Sequence, residues 1–373
     1  MDNVSSTKRQ IKYINLIKSA VFAVIFILAV TSLTYMIRTN GDTKNRFMGF
    51  YAEPRNSLDI VMIGSSPTYS STVFPQLYGE YGIKAYPLAS NVQRPVAGLY
   101  LTKEAQKTQK PKLYMFEMRM YVGIEEGLIS NMAYTRDVTD NMRYSFNRIA
   151  TINAMTDGLA AGNADPLYTY YFDIFKYHSN WKTLVLKDQI TSFRYVRKDP
   201  YKGYKITDKV GPANTPVIRD DVDPMELDKY QEKALSDLLE YLNANNINAL
   251  FYLAPYELKE NDDAKYVRIQ NEVEAAGYKF LDMNKYYDEI GIDFATDFSD
   301  YGIHTNAVGA KKCTDFLGRY LKENYDLPDH RNTEGAAEKS WRKAYENWQG
   351  EYEEALTVID RRIEEEDWTV LEE

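Results

Sequence analysis

Three residue types in this chain have the makings of acyl chemistry. They are a serine closing an apolar run, a histidine just ahead of a late helix, and acids a few residues before that histidine. The run Leu58 to Ile63 is almost wholly apolar and stops at Gly64-Ser65-Ser66. A nucleophilic serine needs a base within hydrogen-bond reach and a third group that holds the base in one tautomer. The chain has three histidines, His178, His304 and His330, so the base has few candidates. His304 follows Asp297 and Asp300 in the stretch Asp297 to Ala310. Ser66 is read as nucleophile and His304 as base, with Asp300 as orienter and Asp297 as its alternative. The competing reading is that either serine only caps the next helix and that His304 is a surface loop residue.

Bringing these groups together requires a particular set of elements. A short apolar run bounded by a turn suits a strand buried on both faces of a parallel sheet, where ligands gather at the carboxyl ends. Ile83 to Leu88 reads as a second strand ending at Ala89-Ser90-Asn91, and Lys112 to Met118 as a third. Period two puts Glu117 and Arg119 on one face at the third strand's exit. Tyr69 to Tyr81 reads as a helix interrupted by Pro75, and 94–109 has helical spacing. The rhythm resumes with a helix over Met225 to Asn243, a strand Asn248 to Leu253, a helix 262–276 and a strand Tyr278 to Asp282. A last helix, capped by Thr305 or Asn306, runs to about Asn324. Alternating strands and helices predict an α/β fold with a central parallel sheet.

Residues 123–223 break this rhythm and read as an insertion or lid. It holds a helix over Arg136 to Ile149, an aromatic block from Tyr168 to Trp181, and a Lys/Gly/Pro-rich loop over 198–223. The aromatics either stack on a sugar or acyl group or fill a subdomain core.

The ends of the chain differ from its middle. Residues 1–18 form a short polar tail, predicted cytoplasmic. Ser19 to Ile37 then runs without a charge, spanning roughly 28 Å as a helix, close to a bilayer's hydrocarbon thickness. It reads as an uncleaved signal anchor. Lys8, Arg9, Lys12 and Lys18 precede it while Arg38, Lys44, Arg46 and Arg55 follow, so charge bias is close to a tie. The acidic tail 331–373 carries Trp341, Tyr345, Trp348, Tyr352, Ile359 and Ile363 at helical spacing, for packing on the body or for docking a partner. A net charge of −9 argues against nucleic acid as a partner. The single cysteine, Cys313, permits no intrachain disulfide and no cysteine-based metal site; no metal or cofactor is predicted.

The motifs V-M-I-G-S-S-P-T-Y, P-L-A-S-N and D-F-S-D-Y-G-I-H-T-N-A-V-G-A together resemble the SGNH/GDSL hydrolase superfamily. More narrowly, they resemble its membrane-anchored Gram-positive branch, akin to the D-alanyl transfer protein of teichoic acid synthesis and to polysaccharide O-acetyltransferases. The resemblance covers about 57–120 and 225–325. It implies a three-layer α/β body over 38–330, outside the cell at the plasma membrane, with nucleophilic Ser66, base His304 and orienter Asp300. It also implies oxyanion or substrate groups at Ser90 and Asn91. Arg119, standing where the family pattern is departed from, reads either as a group for an anionic polymer or the oxyanion or as a structural ion pair with Glu117. The usual G-D-S reads G-S-S here, Asp-x-x-His is lengthened by one residue, and F-E-M-R lacks the third-block asparagine. The implied function is an esterase or O-acyltransferase acting on a cell-envelope glycan, with a membrane-bound acyl-transfer partner. The alternatives are a non-catalytic scaffold binding glycan or that partner, and a cytoplasmic esterase if the anchor is inverted.

Overall fold

The computed structural model describes residues 2–129, 131–157, 165–183, 196–219, 222–259 and 261–370. Parts of the expected insertion (130, 158–164, 184–195, 220–221) and the tail's last residues (371–373) lie outside them. Five parallel strands form the core: β1 (Ile60–Gly64), β2 (Ala85–Ala89), β3 (Leu113–Glu117), β4 (Ala249–Leu253) and β5 (Lys279–Asp282), in the order β2-β1-β3-β4-β5. The first four are buried throughout, which is why their sequences are apolar rather than alternating. β1 pairs with β2 on one side (Gly64 opposite Ala89) and with β3 on the other (Ile63 opposite Phe116). The chain leaves β1 toward β2 and then returns across it, so the strand order reverses beside β1. Such a reversal leaves a crevice at the carboxyl ends of the strands.

Along the chain, α1 (Asp2–Ile37) and α2 (Asp42–Ala52) precede β1, and α3 (Ser66–Ser70) and α4 (Phe74–Tyr81) follow it. Pro75, read as interrupting one helix, instead opens α4, because a first-turn position needs no N–H. After β2 comes α5 (Ala97–Gln106), and after β3 the inserted α6 (Glu125–Ile129), α7 (Met132–Thr139) and α8 (Phe146–Thr156). The helix expected over Arg136 to Ile149 is thus two, because the Ser145 hydroxyl accepts the Arg148 N–H and starts α8 afresh. The aromatic block forms α9 (Tyr168–Tyr171), α10 (Ile174–Tyr177) and a 3-10 turn His178–Thr183.

The α/β pattern returns with α11 (Lys229–Ala244), capped by Asp228, which takes the Tyr230 N–H and so excludes Met225 from the helix. α12 (Asp262–Ala275), α13 (Tyr287–Ile290), α14 (Ala307–Asn324) and α15 (Ala336–Glu365) complete the chain. α15 packs back on α4 and α14, burying Trp341 and Trp348. Gly79 of α4 makes this possible, since a Cβ there would lie 2.4 Å from the Tyr345 ring.

Within α1, Gln10–Ile37 is mostly exposed, and long and apolar enough to cross a membrane. Its end is fastened to the body. Lys44 Nζ donates to the carbonyls of Tyr35 (3.0 Å) and Arg38 (3.1 Å), and Asn180 Nδ2 to that of Ile37 (3.0 Å). These donors satisfy carbonyls that a helix C-terminus otherwise leaves open. The buried Arg38 guanidinium pairs with the buried Asp173 carboxylate, which Arg148 also approaches.

Candidate active site

β1 ends at Gly64 because nothing larger fits: a Cβ there would lie 2.6 Å from Glu117 Cβ and 2.5 Å from Thr68 Oγ1. Ser65 occupies the N-cap position of α3, yet its hydroxyl makes no cap bond. It donates instead to Glu117 Oε2 (3.1 Å), while Glu117 Oε1 accepts the Arg119 backbone N–H (3.1 Å). Burial raises the Glu117 carboxyl above its usual range, with the Arg119 charge and these hydrogen bonds opposing. Ser65 is therefore committed inward. Ser66, the first residue of α3, has its Oγ 2.6 Å from His304 Nε2.

His304 Nδ1 in turn lies 2.6 Å from Asp300 Oδ2, and Asp300 Oδ1 accepts the His304 backbone N–H at 2.7 Å. An ionised carboxylate only accepts, so the Nδ1 side carries the proton and Nε2 is left to accept from the serine. The four-residue separation is absorbed by the loop's shape. Tyr301 (φ 56°) and Gly302 (φ 81°) both take left-handed backbone, folding His304 back over Asp300. At Gly302 a Cβ would also lie 2.6 Å from Glu257 Cβ. An antiparallel bridge between Phe298 and Thr305 closes the loop. Asn306 caps α14 by accepting the Val308 and Gly309 N–H groups, and Thr305 Oγ1 donates to Ser70 O (3.1 Å). That bond staples the histidine's loop to the serine's helix.

Asp297, the alternative orienter, has other partners. It takes Lys312 Nζ (2.7 Å) and the Asp293 N–H (2.8 Å), and burial lifts its carboxyl above the usual range. His178 contacts Phe175 O and His330 contacts Asp59. Arg119 sits behind the loop: its guanidinium lies 4.2 Å over the Tyr256 ring and Nη1 donates to Ile303 O. Arg119 Nη1 thus holds the residue before His304, while its Nε and Nη2 are buried without a hydrogen-bond partner among the described residues. Ser90 is buried with its hydroxyl directed to Gln93 (3.4 Å).

A cleft of about 870 Å³ opens at Ser66, Asn91, Asp300 and His304 and extends to Arg38–Lys44 and Lys176–Tyr177. Neither Ser90 nor Arg119 is among its described lining residues. Two features at or beside its wall have no local sequence signal. Val92, beside Asn91, is held at φ 43°, a strained position for a β-branched residue. Asp137, with Thr43 Oγ1 3.3 Å away, has its pKa pushed up to about 6 by burial, against that bond and the Arg46 charge. The stretch read as a surface loop instead straps the site: Lys205 N–H bonds Tyr69 O, Ala307 N–H bonds Thr207 O, and Gly211 N–H bonds Phe298 O. Among the described residues no group of three or more His, Cys, Asp or Glu is placed to hold a metal ion. No protein-family model matches the chain and no curated protein matches it, so the chemistry has to be read from the geometry itself.

Proposed function

We propose that this protein is a membrane-anchored serine esterase or O-acyltransferase working through an acyl-Ser66 intermediate. The single observation that carries this reading is the unbroken chain Ser66 Oγ, His304 Nε2, His304 Nδ1, Asp300, each link 2.6 Å. Ser66 Oγ attacks the acyl carbonyl carbon while His304 takes its proton and returns it to the departing alcohol oxygen. The ester C–O bond breaks and the acyl group stays on Ser66. Water or an acceptor hydroxyl, deprotonated by His304, then attacks the acyl-enzyme and regenerates the serine. Asp300 keeps Nδ1 protonated and stabilises the imidazolium. Asn91 is the oxyanion donor, since of Ser90, Asn91 and Arg119 it alone is among the cleft's described lining residues.

The strand order and the motifs support a three-layer SGNH-like arrangement. The length and exposure of Gln10–Ile37 support a membrane anchor, and the body is placed outside the cell on the motif resemblance alone. The substrate class is an acyl or acetyl ester of a cell-envelope glycan. Because the cleft runs to Arg38–Lys44, directly past α1, a membrane-bound acyl-transfer partner is the suitable donor. Ser66→Ala and His304→Ala should each lower turnover of a small activated ester by about 10³-fold or more, and a fluorophosphonate should label Ser66 alone. Undiminished turnover in either variant would sink the mechanism. The exposed aromatics of 167–181 favour a second reading, a binding scaffold, which absent labelling of folded protein would support.

A further inference from the structure

The segment 165–183 is built with its polarity reversed relative to an ordinary surface element. Its buried positions include Thr169 and Asp173, which meet Arg136 and Arg38. Tyr170 is buried with them, but Leu167, Tyr168, Phe172, Phe175 and Trp181 are between 52% and 64% exposed. Tyr168 and Phe175 pack edge to face with ring centroids 5.6 Å apart, so the exposed rings hold a fixed arrangement. A cluster of exposed apolar side chains of this kind on a folded protein marks an interaction site.

What covers it follows from where it is fastened. Asp173 pairs with Arg38, the first residue past α1, and Asn180 Nδ2 donates to the carbonyl of Ile37, the last residue of α1. The uncharged stretch ending at Ile37 is just long enough to cross a bilayer's hydrocarbon. The aromatic face therefore stands at the level where that helix leaves the membrane. Trp and Tyr concentrate at this depth because their rings are apolar bodies with a polar handle. Lys182, exposed beside Trp181, supplies a cation for lipid phosphate, whereas Lys176 is paired with Asp165. We propose that residues 167–181 form a seat embedded in the headgroup region of the lipid bilayer beside α1. Lys176 and Tyr177 line the cleft while the neighbouring Phe175 is exposed, so the seat doubles as one wall of the Ser66 cleft and sets its mouth against the lipid surface. The proposal rests on reading α1 as the membrane anchor and is independent of the catalytic reading.

The test uses the full chain in phosphatidylcholine vesicles whose acyl chains carry bromine close to the headgroups. Of the four tryptophans, Trp341 and Trp348 are buried and Trp368 is half-buried, leaving Trp181 as the exposed one. The emission lost on Trp181→Phe substitution is expected to be largely quenched by brominated lipid and protected from aqueous iodide. Trp181 emission open to iodide and indifferent to brominated lipid, in protein that resists carbonate extraction, would overturn the seat while leaving the anchor intact. Release by carbonate would overturn anchor and seat together. Protection from iodide gained only on adding envelope glycan would overturn the lipid in favour of a sugar platform.

Discussion

Asp300 and Asp297 stand three residues apart and have opposite tasks. Asp300 accepts both the backbone and ring N–H groups of His304, whereas Asp297 ties Lys312 and the Asp293 N–H. Asp300→Asn should therefore lower kcat for an activated ester by about 10³–10⁴-fold, because the amide permits the wrong histidine tautomer. Asp297→Asn should leave kcat within a factor of about three and lower only thermal stability; a large kcat loss there would reverse the assignment. Asp137 makes a different prediction. With its folded pKa raised from 3.8 to about 6, the native state binds a proton more tightly than the unfolded chain. Its contribution to stability is thus greatest below about pH 4 and is lost as pH rises through 6. Asp137→Asn, which keeps an acceptor for Thr43, should be more stable than the parent by about 2 kcal/mol near pH 7.5 and equal to it near pH 4. Urea unfolding of the two proteins at both pH values checks this, and a constant difference would refute it.

Among the elements, the histidine loop depends on segments far from it in sequence. Its Tyr301 N–H bonds Gly211 O, and the Tyr301 hydroxyl donates to Thr369 O (2.7 Å). Thr369 in turn donates its N–H to Val210 O (2.7 Å). The tail beyond α15 and the strap around 210 thus brace the loop together. A chain ending at Asp367 should lose about 1–3 kcal/mol of stability and also turnover, with Ser66 still labelled more slowly by fluorophosphonate. Unchanged melting and labelling rates would show the brace to be idle. These contacts explain which parts of the site were legible in the sequence. The five strands were, β1 to β4 as apolar runs with a turn signal at the end and β5 by its place after a helix. Ser66, His304 and Asp300 stood out by residue type and by their place at strand ends and before a helix. The commitment of Ser65 to Glu117, of Arg119 to Ile303 and of the 205–211 strap to three elements was not, because each joins positions with no local pattern in common. Pro75 was misread for the opposite reason: a local breaker was recognised, but not that it starts a helix; Ser145 passed unnoticed inside one long helix.

At the scale of the whole molecule, the Ser66–His304–Asp300 group, the cleft and the apolar helix form one connected body. Lys44 and Asn180 close the end of α1, and the Arg38–Asp173 pair buries the first charge after it. Breaking one partner of a buried pair costs about 3–5 kcal/mol, so α1 is held as a strut and has no slack as a tether. With α1 as the proposed membrane anchor, a strut changes the kind of encounter the protein would have with its targets. A body on a long flexible leash samples a hemisphere of solution, and its rate follows the bulk concentration of whatever diffuses in. A body on a stiff post sweeps a thin disc instead, and meets only molecules sharing that disc by lateral drift. Its throughput is then governed by surface density, in molecules per unit area, and by how crowded that plane is.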